Sequence, residues 1–430
     1  MTWDEVESAA AYRIYYKTGG GKWTNAGTSF AQEGGTEFMF TDVSAGQTYQ
    51  FTVAVLDNNT VSSAYDTIGA EAVYLAAAPP VTSVSGSNGG IKIVWGAVTG
   101  GSRYRVFYQD GSSWKKIGDT EGTSYTWSGA AAGRTYTFTV RCLNADGSGY
   151  GGSYDQKGTA FTYTAAPALT GASCTEKGIQ ISWAKTAGAA KYRLFRKNGS
   201  GWTQIADTAD TSYTWTKPVS GTTYTFTVRC LSKDGSVYTG GFNTGGRSIK
   251  YIKAPAITGL ENTKTGIKIS WEKPAGAAKY RLFRKSGSGW TKIADTTGAS
   301  YTWTGAKSGT SYTFTVRCVN SAGTAFTSGY QSAGKTIRYI QAPSISSLTA
   351  TSKGVKISWK KVSGAEKYRI YYKYKDTWKK IADSTGTSYT WTGAKSGTSY
   401  TFYIRCVSAD GKKITSGVDE KGKTIKYKKQ

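Results

Sequence analysis

The 430-residue sequence contains no histidine. That absence removes every Ser-His or Cys-His nucleophile pair and every histidine metal site. Cysteine is scarce as well: the five residues never take the CxxC spacing of a zinc knuckle. No apolar run approaches the ~20 residues that a membrane-spanning helix needs. No N-terminal stretch joins a charged start to the apolar core of a signal peptide. The sequence has no P-loop, no dinucleotide-binding glycine fingerprint and no Arg-Gly-Asp tripeptide, and no segment keeps helical periodicity for three turns. Acidic residues number 27 against 54 Lys+Arg, and glycoside hydrolysis would need two of them ~5–9.5 Å apart. The only acid that recurs, in the motif I-A/G-D-T (with Ser384 for the Thr in copy five), is Asp119, Asp207, Asp295 and Asp383. It stands where the chain turns towards Tyr-Thr-Trp and reads as an Asx-type turn. The expectation is therefore a non-enzyme with no catalytic residue, no metal and no cofactor.

What the sequence has is repetition. Residues 300–318, SYTWTGAKSGTSYTFTVRC, recur almost unchanged at 388–406, with looser copies ending at Cys230 and Cys142 and a distant one over 37–55. Within this stretch Tyr312, Phe314, Val316 and Cys318 alternate with Thr313, Thr315 and Arg317, the period of a strand with one buried face. Trp95, Trp183, Trp271 and Trp359 fall 88 residues apart, and Trp3 precedes Trp95 by 92. Trp23, Trp114, Trp202, Trp290 and Trp378 form a second series; Trp127, Trp215, Trp303 and Trp391 form a third, with Phe40 in copy one. Together they account for all 14 tryptophans, so the pattern reads as interior packing and leaves none for a special site. Cys142, Cys230, Cys318 and Cys406 share one repeat position that Val55 fills in copy one, which points to a small buried side chain. Cys174 alone could pair with Cys230, and a free thiol near a turn is the simpler reading.

Repeats two to five begin at Ala-Pro (Pro79, Pro167, Pro255, Pro343), which divides the chain into 1–77, 78–165, 166–253, 254–341 and 342–430. Net charge over these segments climbs from −6 through +3, +8 and +9 to +13. In the fourth copy, 266–271, 280–285, 290–293, 301–303 and 312–318 read as strands. Turns fall at Gly287-Ser288-Gly289 and Ser321-Ala322-Gly323, and a closing strand ends at Ile340. Seven short strands at this spacing indicate a two-sheet antiparallel sandwich.

Three features together resemble the fibronectin type III domain: a tryptophan late in the second strand, a YRLFRK-type third strand, and Y-x-F-x-V-R-C in the sixth. The tyrosine of that last motif (Tyr49, Tyr136, Tyr224, Tyr312, Tyr400) matches the family's tyrosine corner, whose hydroxyl bonds back to the preceding turn. The resemblance implies an all-β fold: five tandem immunoglobulin-like antiparallel β-sandwiches in an extended rod, the first lacking strand A and most of strand B. By this alignment copy one lacks about fifteen residues before Met1, so residue 1 reads as an arbitrary start, whereas the C-terminus reads as complete. Copy one is expected to leave strand edges and apolar core exposed and to be the least stable unit, or to borrow a strand. Junctions without spacers imply neighbours held semi-rigidly, each unit extending ~27 Å, in a monomeric rod. The repeats are similar to arrays on secreted and surface proteins of Gram-positive bacteria. Members of the family serve there as spacers, adhesive modules or linkers beside glycan-acting domains.

One surface constellation stands out. If alternate residues of the third strand face inward, the opposite face carries Arg193, Phe195 and Lys197 in copy three. Its counterparts are Arg281, Phe283 and Lys285 in copy four and Arg369, Tyr371 and Lys373 in copy five. Arg229, Arg317 and Arg405 of the adjacent sixth strand turn the same way. Each copy would then present an aromatic ringed by three cations, a chemistry suited to sulfate, carboxylate or phosphate beside a sugar or base. The bland alternative is arginine packed over half-exposed aromatics. Expected partners are an anionic polysaccharide or cell-wall polymer gripped by several weak sites in line. The alternatives are a ligand-free spacer for an upstream enzyme or adhesin, and a module that binds a host protein through its variable turn loops. Nucleic acid is disfavoured because no reading motif is present.

Overall fold

Alternating burial makes the strands. In the fourth copy Ile267, Ile269 and Trp271 are buried while Lys268 is exposed, and Tyr280 and Leu282 are buried beside half-buried Arg281 and Phe283. The computed structural model describes every residue except 31–34, 76, 145–146, 148 and 375. Seven strands follow one another in this copy: Ile257–Asn262, Ile267–Trp271, Lys279–Ser286, Gly289–Thr296, Ser300–Trp303, Ser311–Val319 and Lys335–Arg338. The first, second and fifth form one antiparallel sheet, and the fourth, third, sixth and seventh, in that order, form the other. Between them lie Ile267, Ile269, Trp271, Tyr280, Leu282, Phe314, Val316 and Cys318. Copies two and five repeat this arrangement with their own cores. The fourth strand, expected over four residues, runs for eight, with a bulge opposite Leu282 and Phe283.

The chain falls into two compact units: Met1–Thr170 with Trp183–Thr211 and Phe226–Gly246, and Gly171–Ser182 with Ser212–Thr225 and Arg247–Gln430. Copy three contributes its third, fourth and most of its sixth strand to the first unit, and its second and fifth strands pair within the second. Copy one departs from the plan. Among the described residues it has a single five-stranded sheet built from Ala11–Thr18, Thr24–Phe30, Thr48–Asp57, Thr60–Val61 and Ala70–Val73. A cavity of about 820 Å³ opens beside Trp3, Phe40, Tyr49 and Phe51, and Met39 and Ile68 stand 84% and 75% exposed.

The three tryptophan series do different jobs. Trp95, Trp183, Trp271 and Trp359 are at most 4% exposed, each edge-on to a buried tyrosine 5.4–5.6 Å away. The other two series are half-buried: Trp127, Trp303 and Trp391 pack at the edge of the core, edge-on to buried Phe138, Phe314 and Phe402 at 5.6–6.0 Å, whereas Trp114, Trp202 and Trp290 lie against Tyr154, Phe242 and Tyr330. The tyrosine corner forms in all five copies: the backbone N–H groups of Ser44, Ala131, Val219, Lys307 and Lys395 donate to the hydroxyls of Tyr49, Tyr136, Tyr224, Tyr312 and Tyr400 at 2.8–3.0 Å. All five cysteines are buried free thiols. Burial pushes those of Cys142, Cys318 and Cys406 up to about 11.

Within each unit, neighbouring copies are joined by backbone. The turn between the first two strands of one copy docks on the segment between the last two strands of the next. Gly86 N–H donates to the Tyr238 carbonyl at 2.7 Å, Arg229 Nη2 donates to the Gly86 carbonyl at 2.9 Å, and the Asn88 carboxamide accepts from Phe242 N–H at 2.7 Å. Glu176 accepts from Ser332 N–H at 3.1 Å, and Asn262 donates to the Thr415 carbonyl at 2.7 Å. The end of one copy also makes a parallel bridge to the same segment of the next, at Leu75–Gly152, Thr164–Gly240 and Ile252–Ser328. The closeness dictates residue type. A Cβ on Gly241, Gly329 or Gly417 would stand 2.1–2.2 Å from Asn88, Thr175 or Thr263 of the preceding copy. The corresponding residue of copy two is Ser153, and its predecessor has no such turn among the described residues.

Candidate functional site

The third and sixth strands lie side by side, with Arg193 directly opposite Arg229, Arg281 opposite Arg317 and Arg369 opposite Arg405. Like charges in register on one face need compensation, and each row of arginines finds its own. Third-strand arginines reach sideways to the recurrent aspartate of the fourth strand. Arg281 Nε and Nη2 donate to the two carboxylate oxygens of Asp295 at 2.7 and 2.8 Å, and Arg105–Asp119, Arg193–Asp207 and Arg369–Asp383 repeat this fork. Lys116, Lys292 and Lys380 add a second cation to the same carboxylates at 2.8–2.9 Å. The arginine hydrogen bonds hold Asp119, Asp207 and Asp295 well below the usual carboxylate range and Asp383 down to about 2. The Asx-type turn expected of this aspartate is therefore corrected. The turn bond comes from the next residue, where Thr120, Thr208, Thr296 and Ser384 accept from a backbone N–H two positions on at 3.0–3.1 Å.

Sixth-strand arginines turn to the segment that follows. Arg141, Arg229 and Arg317 Nε donate to the carbonyls of Gly152, Gly240 and Ser328 at 2.7–3.1 Å. Their guanidiniums lie 3.9–4.1 Å from the ring centres of Tyr150, Tyr238 and Phe326. Burial lowers the pKa of Arg229 and Arg317. Phe195 and Phe283 are half-buried 6.2–6.4 Å from Tyr238 and Phe326. The residues expected to ring an aromatic do come together, but both arginines already hold the domain's own atoms. Lys197, Lys285 and Lys373, at the strand end, are the members that stay exposed.

Copy five is built differently on this face. Thr139, Thr227 and Thr315 are buried, and their hydroxyls donate to Asp155, Asn243 and Gln331 carbonyls at 2.8–2.9 Å. Tyr403 takes that position. It stacks on Tyr371 at 4.7 Å and meets Trp378 edge-on at 4.3 Å. In copies two to four the equivalent tryptophan instead packs against Tyr154, Phe242 or Tyr330 at 6.2–6.3 Å. Val418 and Ile414 replace those rings and the arginine-capping rings in copy five. A cavity of about 540 Å³ results, lined by Trp378, Tyr403, Lys373, Arg405, Lys421 and Glu420. Among the described residues Arg405 keeps one bond, Nη2 to the Ser416 carbonyl at 3.1 Å, while its buried Nε has no partner. Of the residues expected on this face, Lys373 and Arg405 line the cavity, Tyr371 backs Tyr403 and Arg369 is held by Asp383; sequence reasoning missed Tyr403, Trp378 and Lys421. The available signal was a tyrosine breaking a threonine column.

A sequence model described as the Fibronectin type III domain matches residues 254–332 and 341–418. These segments are fibronectin type III domains. Their three- and four-stranded sheets and tyrosine corners recur in copy two, and among the described residues the chain is all-β, with repeated antiparallel sheets. It is 26% identical over 233 residues to Exoglucanase B of Cellulomonas fimi, across 48% of this chain and 21% of that protein. It is 26% identical over 212 residues to Fibronectin type III domain-containing protein 7 of Mus musculus, across 48% of this chain and 28% of that protein. The chain thus spans under a third of these relatives' lengths. It is also similar to the crystal structure of chicken CNTN1 FN1-FN3 domains, at 15% identity and TM-score 0.22, covering 61% of this chain and 98% of that chain. Fibronectin type III domains are non-catalytic modules, and among the described residues no cluster of metal-ligating side chains occurs and no helix is long and apolar enough to cross a membrane.

Proposed function

We propose that the chain is a non-catalytic spacer and adhesion segment of an extracellular bacterial protein. It holds successive fibronectin type III domains in register and adheres to anionic polysaccharide or cell-wall polymer through its basic C-terminal copies. The observation that carries the spacer reading is the repeated docking of one domain's first turn on the next domain's last loop, with a glycine kept where that turn arrives. Backbone seated on backbone resists the swivelling that a flexible linker permits. The likeness to part of a bacterial exoglucanase supports a setting beside a glycan-acting domain.

The adhesion reading rests on charge. Residues 342–430 carry +13, and Lys412, Lys413, Lys428 and Lys429 are exposed. In copies two to four the committed arginines favour spacing alone, with Lys197 and Lys285 as the remaining contacts for a polyanion. Retention of the full chain on immobilised heparin or wall teichoic acid should fall steeply between 0.1 and 0.5 M salt, at about the Debye-length dependence of exposed charge. Retention that ignores salt, or no retention at low salt, would remove adhesion and leave the spacer.

A further inference from the structure

The face of the fifth domain departs from its three predecessors by correlated replacements: tyrosine for threonine at 403, valine for an aromatic at 418 and isoleucine for an aromatic at 414. Each has a structural effect. Tyr403 gives up the internal hydroxyl bond and supplies a ring beside Trp378. Val418 withdraws the ring that elsewhere covers the tryptophan, and Ile414 withdraws the ring that elsewhere caps the arginine. Stability alone gives no reason to leave an aromatic corner open, a buried Arg405 Nε without an acceptor, and three cations against one carboxylate. We infer that this pocket binds one acidic sugar residue of an anionic polysaccharide, its ring laid into the corner of Trp378 and Tyr403 and its carboxylate met by Lys421, Lys373 and Arg405.

The inference rests on the adhesion reading and deepens it. A cavity of about 540 Å³ falls within the ~300–1,000 Å³ typical of small-ligand sites. Lys421 has neither an ion-pair nor a hydrogen-bond partner among the described residues, and Lys373 pairs with exposed Asp376 at 3.8 Å. Guanidinium and ammonium groups suit a carboxylate at the end of such a pocket. Glu420 accepts sugar hydroxyls and disfavours densely charged polyphosphate. Trp378 and Tyr403 meet at 77°, so they offer a corner for the C–H face of a puckered ring and no parallel slot for a nucleobase.

The test measures binding of the full chain to oligogalacturonate and hyaluronan fragments, with neutral dextran fragments, polyphosphate and oligo(dT) as comparisons. Two variants separate binding from folding. Tyr403→Thr restores the residue of copies two to four, and Val418→Tyr refills the pocket while leaving Tyr403 and every charge in place. Both should melt as cooperatively as the parent. Affinity for the acidic oligosaccharides should drop at least tenfold in each, while retention on polyphosphate changes less than twofold; Lys421→Gln should give an intermediate loss and a shallower salt slope. Acidic-sugar binding unaffected by both variants, or parent binding to polyphosphate or oligo(dT) as tight as to the uronates, overturns the pocket. If salt-dependent polymer retention survives in that case, the adhesion reading stands; if the parent retains no polyanion at all, both fall.

Discussion

Replacing Gly329 with alanine isolates the joint between neighbouring domains. The φ of Gly329 lies outside the left-handed range, so alanine adds no backbone strain. The new methyl would stand 2.2 Å from the Thr175 carbonyl carbon and 2.5 Å from the Glu176 nitrogen. Backbone cannot rotate away as a side-chain tip can, so the docked turn must lift. Overpacking of this kind costs about 1–3 kcal/mol, whereas reduced freedom of the unfolded chain returns about 0.4–1 kcal/mol. The net cost is therefore about 0–2.6 kcal/mol, and the loss concentrates in the joint. At 1.4 kcal/mol per tenfold, local opening should become roughly five- to a hundredfold more frequent. Hydrogen exchange on the full chain reads this directly. Ser332 N–H, which donates to Glu176, should exchange correspondingly faster, and strands Ile267–Trp271 and Ser311–Val319 should keep their protection. Ser153 predicts the contrast, since substitution between serine and alanine there should leave exchange unchanged. Unaltered protection at Ser332 in Gly329→Ala would refute the argument that glycine is held there by the neighbouring turn.

Three further outcomes follow. The paired aspartates have folded pKa values below the ordinary 3.8 because arginine hydrogen bonds favour the charged form, so their contribution is complete above that value and lost as pH falls below it. Asp295→Asn should lose about 1–2 kcal/mol at neutral pH and flatten the stability profile between pH 4 and 2, and a parallel profile in denaturant titrations would count against the pair. Tyr312→Phe removes the hydrogen bond that the exposed Lys307 N–H donates at the tyrosine corner, where water can take the acceptor's place, and should cost about 0.5–1 kcal/mol, visible as a lower melting temperature. The five cysteines should resist iodoacetamide at pH 8 in the folded chain and react on unfolding, since burial disfavours the thiolate; modification of Cys318 without unfolding would contradict its placement.

The repeat itself carried most of the fold. An interval of 88 with alternating aromatics specifies strands, their faces and a sandwich, because burial on one side of a strand writes a period of two into the chain. The tyrosine corner was legible for a similar reason, since it lies within one turn and its hydroxyl reaches back only five residues. The candidate face was legible in membership but not in state. Alternation places Arg281 and Arg317 outward on adjacent strands, yet it says nothing of Asp295, fourteen residues on, or of the ring of Phe326 over the second guanidinium. Copy five shows the same limit: alternation does not reveal that Val418 and Ile414 leave the space beside Tyr403 open.

Sequence alone determined that this protein is built from repeated small β units without histidine chemistry, because local periodicity and composition need no partner to be read. Only the tertiary structure decided which charges are spent. An arginine is engaged by whichever group folding brings beside it, and that group comes from another strand, a later loop or the preceding domain.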